Sequence, residues 1–418
     1  MQRSFEENIQ RYAHLVIASG CNLQKGQELY LAADVGDTML ARALVREAYR
    51  QDAGNVTVRW TDELCTRMDY LNRPLASFAT YPDWLATLQN GSAQRGAALL
   101  FISSEDPEAY VGIDQRKLVA FVRAKREACK PWSDSMDFSR NAWCIIGGAS
   151  PRWARRVFPE LPADEAVRRL WDAIFTATRV DTPDPVAAWE KHRTSFDRRK
   201  AQLNSLHIDS LHYESSLGTD FTVGLTPRSI WEGGGSVTQA GRPYFPNMPT
   251  EEVFTSPDRN RADGTLVASM PLSYAGSPIE GLSLTFENGR ITDFSADRDV
   301  HILEQMIGTD EGSHHLGEVA LIPKTSPIKR AGVLFLNTLF DENAACHMAI
   351  GMGFPDCYEG GLEMTKDELQ EAGINDSAIH VDFMIGTDDL HVVATCADGR
   401  EVEVFRDGTW AFDEDVEF

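Results

Sequence analysis

The sequence predicts an N-terminal α/β domain with a largely parallel sheet, residues 1–183, followed by an α+β domain, residues 184–418. Three observations lead there. The chain has 418 residues, more than one hydrophobic core ordinarily serves. Up to about residue 180, apolar strand-like runs alternate with helical stretches, the pattern of βαβ units. After residue 205 short strand-like runs dominate, with occasional helices such as 300–307 and 366–372.

Residues 3–19 read as an amphipathic helix and ELYLAADV (28–35) as a buried strand. A helix follows, with Asp37 as its N-cap and Gly54 as its C-cap. NVTVRW (55–60), AALLFISS (97–104) and NAWCIIGGAS (141–150) continue the strand series. Sheets of this type take ligands at the carboxyl ends of their strands. No GxxxxGKS/T or GxGxxG follows a strand here, and the glycines of IIGGAS (145–150) read as a turn. DTPDPVA (181–187) separates helical stretches 164–180 and 185–204. In the second half, FENGRITDF carries Asn288–Gly289, the strongest short hairpin signal.

The formal net charge is -23, from 40 basic and 63 acidic side chains, which disfavours nucleic acid and anionic membranes as partners. No apolar run reaches bilayer-spanning length, and Glu6 and Glu7 interrupt any signal-peptide core. Seven cysteines without a CxxC pair fit neither a disulfide framework nor a structural zinc site, so a cytoplasmic location is expected.

Four acid and histidine clusters lie in the second half. In PTEEVFTSP, Glu251 and Glu252 are consecutive on a strand-like run and point to opposite faces, so one of them enters a given site. In DEGSHHLGEVALIP, Glu318 stands ahead of a core strand, while His314 and His315 read as exposed loop residues. DENAACHMAIG reads as a helix, with Asp341 and Glu342 favouring its N-terminal end and His347 among small residues. Cys346 and His347 diverge on such a helix, which argues against a thiol–imidazole dyad. In IHVDFMIG, His380 and Asp382 are two apart on an apolar strand and face one side, against Val381, Phe383 and Ile385 on the other. A polar pair buried this way needs partners. Three carboxylates and two imidazoles without thiolates suit zinc, manganese or cobalt. Five ligands hold two ions if a carboxylate bridges, and two such ions activate a water nucleophile.

These strings, together with YAHLVIASGCNLQKGQELYL and WARRVFPE, resemble the M29 metallo-aminopeptidases over nearly the whole chain. The resemblance selects Glu252 over Glu251 and implies Glu252, Glu318, His347, His380 and Asp382 as ligands of two divalent ions (zinc, cobalt or manganese). It implies an α+β metal-binding catalytic domain, a homodimer with an enclosed cavity, and release of N-terminal residues from peptides. Glu251 is then the candidate general base, although alternation turns it away from Glu252. The chain departs from the family at Phe354, in GMGFP, where the family carries a tyrosine close to the metals. That departure keeps open two alternatives: another metal-dependent amide hydrolase on the same site, or a metal-binding homologue with weakened catalysis.

Overall fold

The structure is a computed structural model and describes residues 3–274 and 277–412. The chain forms two compact units, one of residues 1–191 with 235–249, the other of residues 192–234 with 250–418. The expected boundary at 183/184 is a single cut, whereas the units meet inside the helix Pro185–Leu206 and a later segment returns to the first unit.

The first unit is built on a five-stranded, wholly parallel sheet. Its order is Asn247–Met248, Trp143–Gly147, Ala98–Ser103, Glu28–Asp34, Asn55–Thr61. Helices connect the first four strands, as parallel pairing requires. The first helix, Phe5–Leu15, starts at a capping box in which Ser4 and Glu7 satisfy each other's backbone N–H. Two expected caps are replaced by other duties. Asp37 stands at the N-cap of Thr38–Arg50, but its carboxylate accepts from Ser104 Oγ. Gly54 lies beyond that helix, which ends at Arg50. A Cβ on Gly54 would stand 2.3 Å from Gly26 O, so close backbone approach is what requires a glycine.

Among the described residues the second unit holds two large antiparallel sheets, beside a two-stranded one of Leu272–Tyr274 and Ser277–Ile279. The larger has eight strands, and within it Asn288 (φ 51°) and Gly289 (φ 84°) make the expected tight turn between Ser283–Glu287 and Arg290–Ser295. The smaller sheet has the order His380–Met384, His347–Gly351, Leu316–Leu321, Val253–Thr255, Glu232–Gly233. Both sheets feed one core, which includes Phe221, Val223 and Val392 from the larger and Val319, Met348 and Phe383 from the smaller. This is the α/β plus α+β class that the sequence predicts.

One segment reverses its expectation. DENAACHMAIG is not a helix. Helical turns stop at Ala344, and His347–Gly351 is a strand buried on both faces. Its Ala and Met content favours helix, but pairing with a strand on each side overrides propensity. His315 is also buried, its Nδ1 donating to the carbonyls of Arg259 (2.8 Å) and Gly289 (2.9 Å), and so ties down the hairpin.

Candidate metal centre

Three neighbouring strands of the smaller sheet bring the chemistry together. In register, Glu318 lies opposite Ala349, and Ala349 opposite Asp382. One row along, Gly351 faces His380, and one row back His347 faces Ala320. Alternation puts all of these on one face and sends Val319, Met348, Ile350, Val381 and Phe383 to the core. The residues between the polar groups are Ala320, Ala349 and Gly351, whose small size leaves space above the sheet. Gly351 has φ +108°, and a Cβ there would stand 2.1 Å from Ile379 O, so no side chain can replace it without strain. Glu252 arrives from the segment before Val253–Thr255, whose Val253 pairs with Leu321.

Two triads result. The ligand atoms of Glu252, Glu318 and His347 lie within 4.8 Å of one another, as do those of Glu318, His380 and Asp382, so Glu318 belongs to both. His347 Nε2 is 3.3 Å from Glu252 and 3.9 Å from Asp382 Oδ1. His380 Nε2 is 3.0 Å from Glu318 and 3.3 Å from Asp382 Oδ1. Each Nδ1 meets a backbone carbonyl, Glu342 O at 2.9 Å for His347 and Met352 O at 2.7 Å for His380. A carbonyl only accepts, so Nδ1 carries the proton and Nε2 is left for the carboxylate side.

The electrostatics describe a site short of positive charge. Burial opposes protonation of His347, yet its contact with Glu252 and the surrounding carboxylates push it up to about 10. His380 is likewise raised well above its ordinary value against the effect of burial, by Asp382 and then Glu318. Burial raises Glu318, and the charges of Glu252 and Asp382 raise it further against His380. Asp382 is held below its usual range, because the two imidazoles outweigh its burial.

The residues fit divalent cations. Among the described residues, no lysine or arginine pairs with Glu252, Glu318 or Asp382. Asp382 Oδ1 is buried and accepts no hydrogen bond. Oxygen and imidazole donors suit zinc, manganese or cobalt. Cys346 takes no part, since its Sγ sits at 3.3 Å from both N and O of Ile322 and burial pushes the thiol up to about 12. That also removes it as a nucleophile.

Residues 5–410 match the family described as thermophilic metalloprotease (M29). The chain belongs to this family. It is 42% identical over 409 residues to aminopeptidase AmpS of Bacillus subtilis, covering 98% of this chain and 100% of the relative. It is 39% identical to aminopeptidase T of Thermus thermophilus, covering 97% and 99%. The solved structure of wild-type AmpT from Thermus thermophilus superposes with a TM-score of 0.90 at 38% identity, covering 98% of this chain and 100% of that one.

Against the M29 pattern, Phe354 presses its half-buried ring on His380, centroids 4.8 Å apart, and on Phe254 at 5.5 Å, while its N–H donates to Ser256 Oγ. Tyr358, four residues on, is engaged with the Arg228 guanidinium 5.0 Å from its ring. Glu251 lies outside both triads. Its carboxylate is 3.7 Å from His192 Nε2, and its N–H donates to Asn343 Oδ1. Both Glu251 and Glu252 are buried, so neither is the solvated edge that a glutamate pair usually makes. Reading the sequence missed Glu342. It is buried, and its carboxyl is raised well above the ordinary value by burial, then by Asp382 and Glu252, with His347 pulling it down. Its signal was present in DENAACH but was spent on a helix that does not form. Asp341 instead closes the preceding loop, accepting from the N–H groups of Phe335 and Asn337.

Chelation provides a direct check. Removing divalent ions leaves three buried carboxylates facing each other, so the thermal midpoint of the chelated protein should fall. Saturating metal at about a hundred times its Kd contributes on the order of 3 kcal/mol. Scanning calorimetry before and after chelation, with metal content measured, tests this. An unchanged midpoint on full metal removal would contradict a metal-filled site.

Proposed function

We propose that this protein is a metal-dependent aminopeptidase that hydrolyses the N-terminal peptide bond of short peptides. The observation that supports the reading is Glu318, shared between the two triads, an arrangement that would suit two cations side by side. Glu252 and His347 would complete one position, His380 and Asp382 the other. Divalent ions bound there would polarise the scissile carbonyl and lower the pKa of a water nucleophile. The chain's own residues orient and exclude. The two Nδ1–H bonds to backbone carbonyls hold the imidazole planes, and the Phe354 ring packs against His380. Glu342, buried and in the field of Asp382, Glu252 and His347, is one candidate to take the proton of the attacking water. Glu251, facing His192, is the second candidate.

Asp382→Ala tests the assignment. Substitution of a group that merely orients a metal ligand costs about 10–100-fold. Loss of a ligand should cost no less, so turnover of aminoacyl reporter substrates should fall at least that far while far-UV circular dichroism is retained. Full activity in this variant would sink the reading.

Phe354 motivates a second test and a second reading. If the family tyrosine stabilises the transition state through its hydroxyl, Phe354→Tyr should raise kcat, with a smaller effect on KM. One oxyanion donor is worth on the order of 10²–10³ in turnover. An equal or lower kcat at equal metal occupancy would reject that account. It would favour a site altered for a different peptide-like amide, in which the phenyl ring lines an apolar wall.

The homodimer implied by the resemblance and the cytoplasmic location expected from the cysteines belong to the same reading. Light scattering should give about twice the 46.5 kDa chain mass, and an active monomer at micromolar concentration would count against an enclosed cavity shared by two copies.

A further inference from the structure

The parallel sheet of the N-terminal unit reverses its strand order between the neighbours Glu28–Asp34 and Ala98–Ser103. The chain leaving the first builds Asn55–Thr61 on one side, and the chain leaving the second builds Trp143–Gly147 on the other. Such a reversal opens a crevice beyond the carboxyl ends of the strands, where open α/β sheets take ligands.

Here the crevice holds an acid. Asp37, three residues past the first strand, is 5% exposed, and its Oδ2 accepts a 2.6 Å hydrogen bond from Ser104 Oγ, the first residue past the second strand. Gly148, the first residue past the third, leaves room for the carboxylate. A Cβ there would stand 2.9 Å from Asp37 Oδ1 and 2.7 Å from Ile102 Cγ2. Burial pushes this carboxyl up to about 7, the Ser104 hydrogen bond opposes the rise, and Asp34 and Glu105 add to it. It is an acid in want of a cation.

A cavity of about 410 Å³ opens on Asp37. Phe5, Met39, Leu40 and Trp171 line it, with Phe5 and Trp171 meeting edge to face at 5.9 Å. Phe5 and Met39 are 39% and 45% exposed, an unusual amount of apolar surface around one opening. The cavity's other charged group is Arg168, which is exposed and forms no ion pair among the described residues.

We propose that this cavity binds a small apolar α-amino acid as its zwitterion, with the ammonium on Asp37, the carboxylate at Arg168 and the side chain against Phe5, Leu40 and Trp171. An ammonium relieves the buried carboxylate, whereas a phosphate would meet an acid, so a nucleotide is disfavoured. The volume is at the small end for ligand sites, which suits one amino acid rather than a longer peptide. The site lies in the unit that holds none of the metal-ligand candidates. Free amino acids are the product class of the proposed reaction, but the proposal stands on the cavity's own charges and walls.

Calorimetric titration of L-leucine and L-phenylalanine into the full-length, metal-loaded protein tests it, with Asp37→Asn and Arg168→Ala alongside. Each substitution removes a charge-assisted contact worth about 1.5–3 kcal/mol, so affinity should fall at least about tenfold. Phenethylamine, which lacks the carboxylate, should bind the parent more weakly than L-phenylalanine and should be indifferent to Arg168→Ala. Activity on reporter substrates without added amino acid should be unchanged in Arg168→Ala, which separates this site from the metal centre. Because binding is read without turnover, failure of the aminopeptidase reading leaves the test intact. Arg168 is exposed and its variant should fold, so it decides the matter even if Asp37→Asn is unstable. Isotherms that Arg168→Ala leaves unaltered, or no saturable binding with Kd below about 1 mM in the parent, would overturn the proposal.

Discussion

Three carboxylates gathered on one buried face, with only two imidazoles to answer them, set the terms for the C-terminal unit. Two carboxylate charges within 4.8 Å repel by about 3–4 kcal/mol at an effective dielectric near 20. An exposed ion pair returns about 0–1 kcal/mol, so surface salt bridges cannot offset even one such repulsion. The apolar core shared by the two antiparallel sheets holds the acids in place. The remaining electrostatic demand is then available to bind and hold cations. The raised imidazoles and raised Glu318 are two signs of that demand: the site takes up protons where it lacks metal.

The sheet is well suited to this task. Side chains on adjacent strands project in rows, and here one row runs Glu318, Ala349, Asp382. The central strand contributes a methyl group where a larger side chain would fill the space between the acids. Gly351 performs the same service beside His380, at a φ that other residues rarely adopt. The imidazoles are fixed from behind by carbonyls of Glu342 and Met352, so their free nitrogens are preorganised and little rotamer freedom remains to be lost on binding.

The N-terminal unit solves a different problem with different means. Its parallel sheet is buried at its central strands, where Leu29, Leu31, Leu99 and Leu100 are inaccessible, and Asp37, Ser104 and Gly148 meet just beyond the strand ends. A buried acid, Asp37, stands there beside aromatic and aliphatic side chains. One unit therefore concentrates charge and the other isolates it, and the two environments suit different ligands.

Much of this was legible in the sequence. Alternation placed His380 and Asp382 on one side of a strand, Asn288–Gly289 announced its hairpin, and the first three parallel strands of the first unit fell within one residue of their apolar runs, while the fourth fills only 143–147 of its run and Asn247–Met248 had no such signal. These signals are local: a two-residue period, a turn dipeptide and a bounded apolar run depend only on the neighbouring residues. Other features were not legible from the residues themselves. His347 sits in an alanine-rich run that reads as helix and becomes a strand because two partners pair with it. Nothing in PTEEV says that Glu252 reaches the triad while Glu251 turns to His192. Glu342 and Asp37 are acids whose meaning comes from what surrounds them. Strand order, register and burial are set by contacts between residues distant in the chain, and a carboxylate's chemistry is set by its neighbours and its access to water. The sequence alone determined which segments could be strands and which residue types were present. Tertiary structure decided which acids meet, because only the folded chain brings distant charges within a few ångströms and excludes the water that would screen them.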